Sequence, residues 1–137
     1  MTTYALDTNV IVDYLRGNES VENKMIDVYS DGDILALPSI VYYEIIRGFT
    51  DSKATRRFNR FQELCKSLKF YFLDRYDMQA LNTAAKIYDS LRKTGVLIED
   101  NDIYIAAIAM VNDCTLVTDN IKHFSRIEGL RLVNWKE

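Results

Sequence analysis

Short apolar runs and longer helical patterns alternate along this chain, and that alternation restricts the folds open to it. Tyr4–Leu6, Ile34–Leu37, Phe70–Leu73, Thr115–Val117 and Leu130–Val133 read as strands. Their shortness fits parallel strands buried on both faces better than half-exposed ones. Between them lie helical spacings. Val21, Met25, Val28 and Tyr29 share a face before the turn Asp31-Gly32-Asp33. Pro38 suits the first turn of a helix, where its missing N–H costs nothing. That helix passes Glu44 and meets a stop at Gly48. Phe58, Phe61, Leu64, Cys65 and Leu68 make a third stripe, and Leu81, Ala84, Ala85, Tyr88 and Leu91 a fourth, ahead of Gly95. The segment after Asn101 is apolar nearly all round, which predicts a central, buried helix. The alternation predicts an α/β fold around a mainly parallel five-stranded sheet. With no repeat, linker or low-complexity tract, the expectation is a single domain over 1–137.

Parallel sheets bind ligands beyond the carboxyl ends of their strands, where the strand order switches. Asp7 stands at the end of the first predicted strand, and Asp119-Asn120 at the end of the fourth. Two more acids adjoin apolar sequence. Glu44 interrupts Ile40-Val41-Tyr42-Tyr43 and Ile45-Ile46, and Asp102 precedes the run Ile103–Met110. An unpaired carboxylate is expensive to bury. Acids placed repeatedly at core edges therefore suggest a shared positive centre, and oxygen donors suit a hard metal ion.

Each acid also has a plainer reading. Asp7-Thr8-Asn9 are standard helix caps. Asp100 can cap the following helix, with Asp102 in a first turn whose dipole favours either carboxylate. Glu44 can pair with Arg47 three residues on. A cap role does not suit Glu44 in mid-helix, so a ligand role is favoured there. Glu99-Asp100-Asn101-Asp102 lacks the glycine and terminal glutamate of an EF-hand. Ser39 reads as a cap or turn residue. Cys65 and Cys114 fit buried small hydrophobes. The single histidine, His123, excludes His-rich zinc sites and reads as a partly exposed neighbour of the core residue Phe124. Tyr42, Tyr43 and Tyr104 lie close enough to the acids in sequence to stack on a base.

The net charge of −3 is unevenly spread. From Arg47 to Arg75 eight bases face three acids, a balance of +5, which leaves −8 for the remainder. A basic stretch opposite an acidic centre suits a polyanion, although a solvated helix face accounts for it equally well. Arg56, Arg57 and Arg60 are the candidate phosphate contacts. No apolar stretch reaches the roughly 20 residues of a membrane span. Met1-Thr2-Thr3-Tyr4 carries no signal-peptide pattern, so a cytoplasmic location is expected, with no membrane association.

Five segments follow in order: Leu6-Asp7-Thr8-Asn9-Val10-Ile11, Tyr43-Glu44-Ile45-Ile46-Arg47-Gly48, Asp102-Ile103-Tyr104-Ile105-Ala106-Ala107, Leu116-Val117-Thr118-Asp119-Asn120 with His123-Phe124, and Gly129-Leu130-Arg131-Leu132-Val133-Asn134-Trp135. Each is weak alone, but together they resemble the PIN-domain ribonucleases, specifically VapC toxins of VapBC-type toxin–antitoxin pairs. The resemblance implies a three-layer α/β/α sandwich and acids that bind Mg²⁺ or Mn²⁺ and cleave RNA phosphodiesters, often in tRNA. It implies a homodimer, silenced by a cognate VapB-like antitoxin. Carried over by position, Asp7, Glu44 and Asp102 are the catalytic and metal-binding acids. The fourth acid falls in the column of Asn120, with Asp119 beside it as the competing choice. Thr8 and Thr118 are expected to assist at the substrate through their hydroxyls. A DNA nuclease or a phosphatase using the same acids is the alternative within enzymes. A non-catalytic RNA- or partner-binding module is the alternative outside them.

Overall fold

The computed structural model describes residues 1–51 and 53–136. It is organised by one sheet of five strands: β1 (Thr3–Leu6), β2 (Ile34–Pro38), β3 (Lys69–Tyr71), β4 (Thr115–Val117) and β5 (Arg131–Val133). All pairings are parallel, in the order β3-β2-β1-β4-β5. Ala5 of β1 sits in register with Ala36 on one side and Leu116 on the other. Parallel neighbours cannot be joined by hairpins, so every connection carries helix. These are α1 (Thr8–Leu15), α2 (Glu19–Ser30), α3 (Ser39–Phe49), α4 (Thr55–Cys65), α5 (Gln79–Lys93), α6 (Asp100–Val111) and α7 (Ile121–Phe124). Consecutive residues of the central strands, Ala5-Leu6 and Leu35-Ala36-Leu37, are all buried. Neighbouring strand residues point to opposite faces, so both faces are covered and the fold is a three-layer α/β/α sandwich.

The apolar segment after Asn101 becomes α6, with Ile103 and all of Ile105–Ala109 buried. Its alanines keep the helix slim enough to pack on several sides. The basic segment becomes α4, anchored by the fully buried Phe61 and by Leu64. Burying a side chain such as Phe61 contributes roughly 1.5–3 kcal/mol. No helix of the described residues is long and apolar enough to cross a membrane.

Several local expectations shift. β3 starts at Lys69 and ends at Tyr71. Phe72 is exposed, and the Leu73 N–H leaves the ladder to donate to the Ser39 hydroxyl. β5 starts at Arg131, one residue later than the pattern suggested. Pro38 is the last residue of β2, extended at φ −65 and ψ 139, just outside α3. Gly48 does not stop α3, which continues through Phe49. The buried stripe of α5 is Ala80, Ala84, Ile87 and Leu91, leaving Tyr88 and Ala85 outward. Tyr29 on α2 also faces solvent. Packing of α5 against α6, and of α2 against α1 and β2, selects the buried stripe and leaves these side chains outward.

Candidate metal centre

Strand order reverses between β1 and β4, and this switch point opens the crevice expected of such a sheet. Asp7 follows β1 directly and is buried. Its backbone N–H donates to the Val117 carbonyl at 3.0 Å, which fixes it against the end of β4. It also caps α1: Oδ1 accepts from the Thr8 N–H at 2.8 Å. The other oxygen, Oδ2, accepts from the Thr118 hydroxyl at 2.8 Å and the Asn9 amide at 3.2 Å. The cap reading and the ligand reading of Asp7 are therefore compatible.

α3 brings Glu44 to the same crevice. Its Oε1 accepts from the Thr8 hydroxyl at 2.6 Å, and Oε2 from the Asn101 amide at 3.4 Å. Arg47 Nη2 stands 3.8 Å from Oε2, so the plainer pairing exists but is loose. The first turn of α6 carries Asp102; Glu99 holds the cap position without a side-chain bond, so Asp100 is not the cap. His123 Nδ1 lies 3.8 Å from Asp102 Oδ2. His123 is partly exposed beside the buried Phe124, as expected, and also faces Asp102.

The carboxyls feel one another. Burial pushes the Asp7 carboxyl up to about 6; the bonds from Thr118 and Thr8 oppose this, and the charges of Asp102 and Glu44 add to it. Asp102 is also raised, first by burial, then by Glu44 and Glu99, with His123 opposing. Among the described residues, no three Asp, Glu, His or Cys side chains stand grouped as a ready metal cage. Like charges separate when nothing positive lies between them, and here hydroxyls and amides hold two of the three acids. The donors are carboxylate, amide and hydroxyl oxygens, the set a hard divalent cation selects. Such a cation would offset the burial that chiefly raises Asp7 and Asp102, and the smaller repulsion that the neighbouring acids add.

The doubtful fourth position separates into two roles. Asp119 Oδ2 lies 3.7 Å from Lys136 Nζ, which also reaches Asp13 Oδ2 at 3.4 Å. Lys136 is brought there by the C-terminal strap: Trp135 is buried against Tyr4, and its carbonyl accepts from the Ser20 hydroxyl. Asn120 donates its N–H to Thr118 Oγ1 at 2.9 Å, behind Asp7.

Three expected substrate contacts take other positions. Thr118 is fully buried, so its hydroxyl supports Asp7 and cannot meet substrate. Thr8 spends its hydroxyl on Glu44. Arg60 is bonded to Glu22 and stacked over the Tyr14 ring at 4.5 Å, so it is a structural contact of α4. Arg56 and Arg57 are exposed and carry no ion pair among the described residues. Arg57 borders a cavity of about 250 Å³ that also touches Thr8, Val12, Arg16, Glu44 and Phe49. The supports Asn9 and Asn101 went unrecognised in the sequence, where Asn beside Asp reads as capping.

Comparison with known proteins gives the family. The PIN domain pattern matches residues 4–130. Ribonuclease VapC1 of Methanocaldococcus jannaschii is 32% identical over 129 residues, 93% of this chain and 84% of that protein. Ribonuclease VapC2 of Rickettsia felis is 31% identical over 137 residues, 96% of this chain and 97% of that protein. The crystal structure of Rickettsia felis VapBC2 bound to a DNA fragment from its promoter superposes with a TM-score of 0.89 at 28% identity, covering 98% of this chain and 99% of that one. VapBC-1 from nontypeable Haemophilus influenzae gives 0.85 at 26% identity, covering 99% and 100%. With the family pattern spanning most of its length and relatives above 30% identity over nearly all of it, the chain belongs to the PIN domain family, among the VapC ribonucleases.

Proposed function

We propose that this protein is the toxin of a type II toxin–antitoxin pair, a divalent-metal-dependent endoribonuclease. One observation carries the reading: at the sheet's switch point Thr8 bonds both Asp7 and Glu44, and Asn101, the neighbour of Asp102, bonds Glu44, so acids far apart in sequence share one crevice. Mg²⁺ or Mn²⁺ is the proposed ion, with Asp7, Glu44, Asp102 and the neutral oxygen of Asn120 as its ligands. When bound, the ion neutralises phosphodiester charge and lowers the pKa of an attacking water. The chain's own residues hold the acids in place. Thr8 N–H, Asn9 and Thr118 orient Asp7, and Thr8 and Asn101 orient Glu44. Arg56 and Arg57 supply cations for the RNA backbone beside this centre.

The proposed partners are a VapB-like antitoxin and a second copy of the chain. The structural relatives are VapBC complexes, and Tyr43, Phe72 and Tyr76 leave aromatic surface exposed for association. A structured RNA such as tRNA is the proposed substrate, a single nuclease domain spans 1–137, and the place of action is the cytoplasm.

The test is cleavage of total RNA and of single-stranded DNA by purified protein, in Mg²⁺, in Mn²⁺ and in EDTA. RNA cleavage that requires the ion and falls by about 100-fold or more in Asp102→Asn is expected. An Asp102→Asn protein as active as wild type overturns the assignment, and cleavage of DNA alone replaces the substrate.

A further inference from the structure

Among the described residues, His123 Nδ1 is a buried polar atom near the acids that neither the fold nor the proposed ligand set employs. It has no hydrogen-bond partner among those residues. The side chain as a whole is 43% exposed, so burial falls on the Nδ1 edge, the edge facing Asp102 Oδ2 at 3.8 Å. A buried nitrogen without a partner is unfavourable, and such a group calls for an explanation.

The backbone that carries this ring is tied to the site from the other side. His123 and Phe124 donate their N–H groups to the Asn120 carbonyl, at 3.2 and 3.3 Å. Asn120 in turn donates to Thr118, and Thr118 to Asp7. Phe124, fully buried, pins α7 to the core. The imidazole is therefore held on the same scaffold that orients Asp7, while it faces the acid of a different helix.

We propose that His123 is a positioning residue for Asp102. Nδ1–H would donate to Asp102 Oδ2 after a small closing of the 3.8 Å gap, holding the carboxylate's orientation while it serves as a cation ligand. Carboxylate ligands held by an outer hydrogen bond bind metal better than free ones, typically by 10–100-fold. Glu44 and Asp7 have such donors in their hydroxyl and amide neighbours. Among the described residues, Asp102 has only His123 placed to serve in that way. The inference rests on the metal-dependent reading and adds to it a residue outside the ligand set.

The test compares Mn²⁺ affinity, by electron paramagnetic resonance and calorimetry on the free full-length protein, for wild type, His123→Phe, His123→Leu and His123→Asn. The Asn amide can place an N–H near the Nδ1 position; Phe and Leu fill the space without a donor. Two apolar variants guard against one of them disturbing the fold, which is checked by urea denaturation. A 10–100-fold weaker Mn²⁺ affinity in Phe and Leu, with Asn within about threefold of wild type, is expected. Wild-type affinity in a folded Phe or Leu variant overturns the proposal. So does an Asn variant as weak as Phe, because a lost donor would then not be the cause. If wild type itself binds no Mn²⁺ at millimolar concentration, the metal-dependent reading fails and takes the proposal with it, a result distinct from unchanged variants.

Discussion

Replacing Asp7 by Asn should make the metal-free protein more stable at neutral pH and less stable in acid. In the folded chain the Asp7 carboxyl is pushed up to about 6 from an ordinary 3.8, mainly by burial. The folded state therefore holds this proton more tightly than the unfolded chain does. Below about pH 4 both states are protonated and the group imposes no penalty. Between about pH 4 and 6 the unfolded chain ionises first, and stability is lost as the pH rises. Above 6 the full penalty is present, about 3 kcal/mol at 1.36 kcal/mol per unit. Asn cannot ionise and escapes it. Asn does place an amide N–H₂ where Oδ2 accepted from Thr118 and Asn9, which costs about 1–2 kcal/mol at every pH. The variant should thus be about 1–2 kcal/mol less stable than wild type at pH 4 and about 1–2 kcal/mol more stable at pH 8, with a crossing between. Urea denaturation across that range in EDTA measures the difference directly. Saturating Mn²⁺ should reverse the order at pH 8, because wild type gains about 2.7 kcal/mol at a hundredfold excess over its dissociation constant and the variant far less. A stability difference that does not change with pH in EDTA would refute the reasoning, since the buried carboxylate would then not be the group that opposes folding.

Arg56→Ala with Arg57→Ala should weaken binding of an uncleavable RNA and lower its log–log salt slope by roughly 0.7 per phosphate contact. Arg60→Ala should leave that slope alone and instead lower stability by about 1 kcal/mol, from a partly exposed pair and a ring contact; salt titrations and urea curves separate the two. Thr118→Val, nearly the same shape, should destabilise the fold by about 1–2 kcal/mol, by removing one of the two donors to Asp7 Oδ2 and leaving the Asn120 N–H without its acceptor. For the fourth position, Asn120→Asp should raise Mn²⁺ affinity while Asp119→Asn changes it little, because Asp119 already faces Lys136. Manganese titration that shows the reverse would make Asp119 the ligand.

Much of this protein is legible in one dimension because the relevant physics is local. Short buried strands need apolar residues, helices need a 3.6-residue spacing, and carboxylates at strand ends expose themselves as exceptions to both. The parallel sheet, the central α6 and the positions of Asp7 and Asp102 all follow from such patterns. What the sequence could not contain is which groups meet. Thr8 reads as a cap neighbour, yet its hydroxyl serves Glu44, 36 residues away. Thr118 reads as a polar residue at a strand end, yet it lies wholly inside and bonds Asp7 across 111 residues. Arg60 shares its stretch with Arg56 and Arg57, and only the packing of α4 against Tyr14 and Glu22 removes it from the free basic surface. His123 looks like a half-exposed residue beside a core phenylalanine until α7 turns its buried nitrogen toward Asp102. Composition and periodicity mark where the elements lie, although the exposed Tyr29 and Tyr88 show that the buried stripe itself is chosen by packing. Direction and distance between elements are set only when the sheet closes, and the chemistry of a site built from four of its connections depends on both.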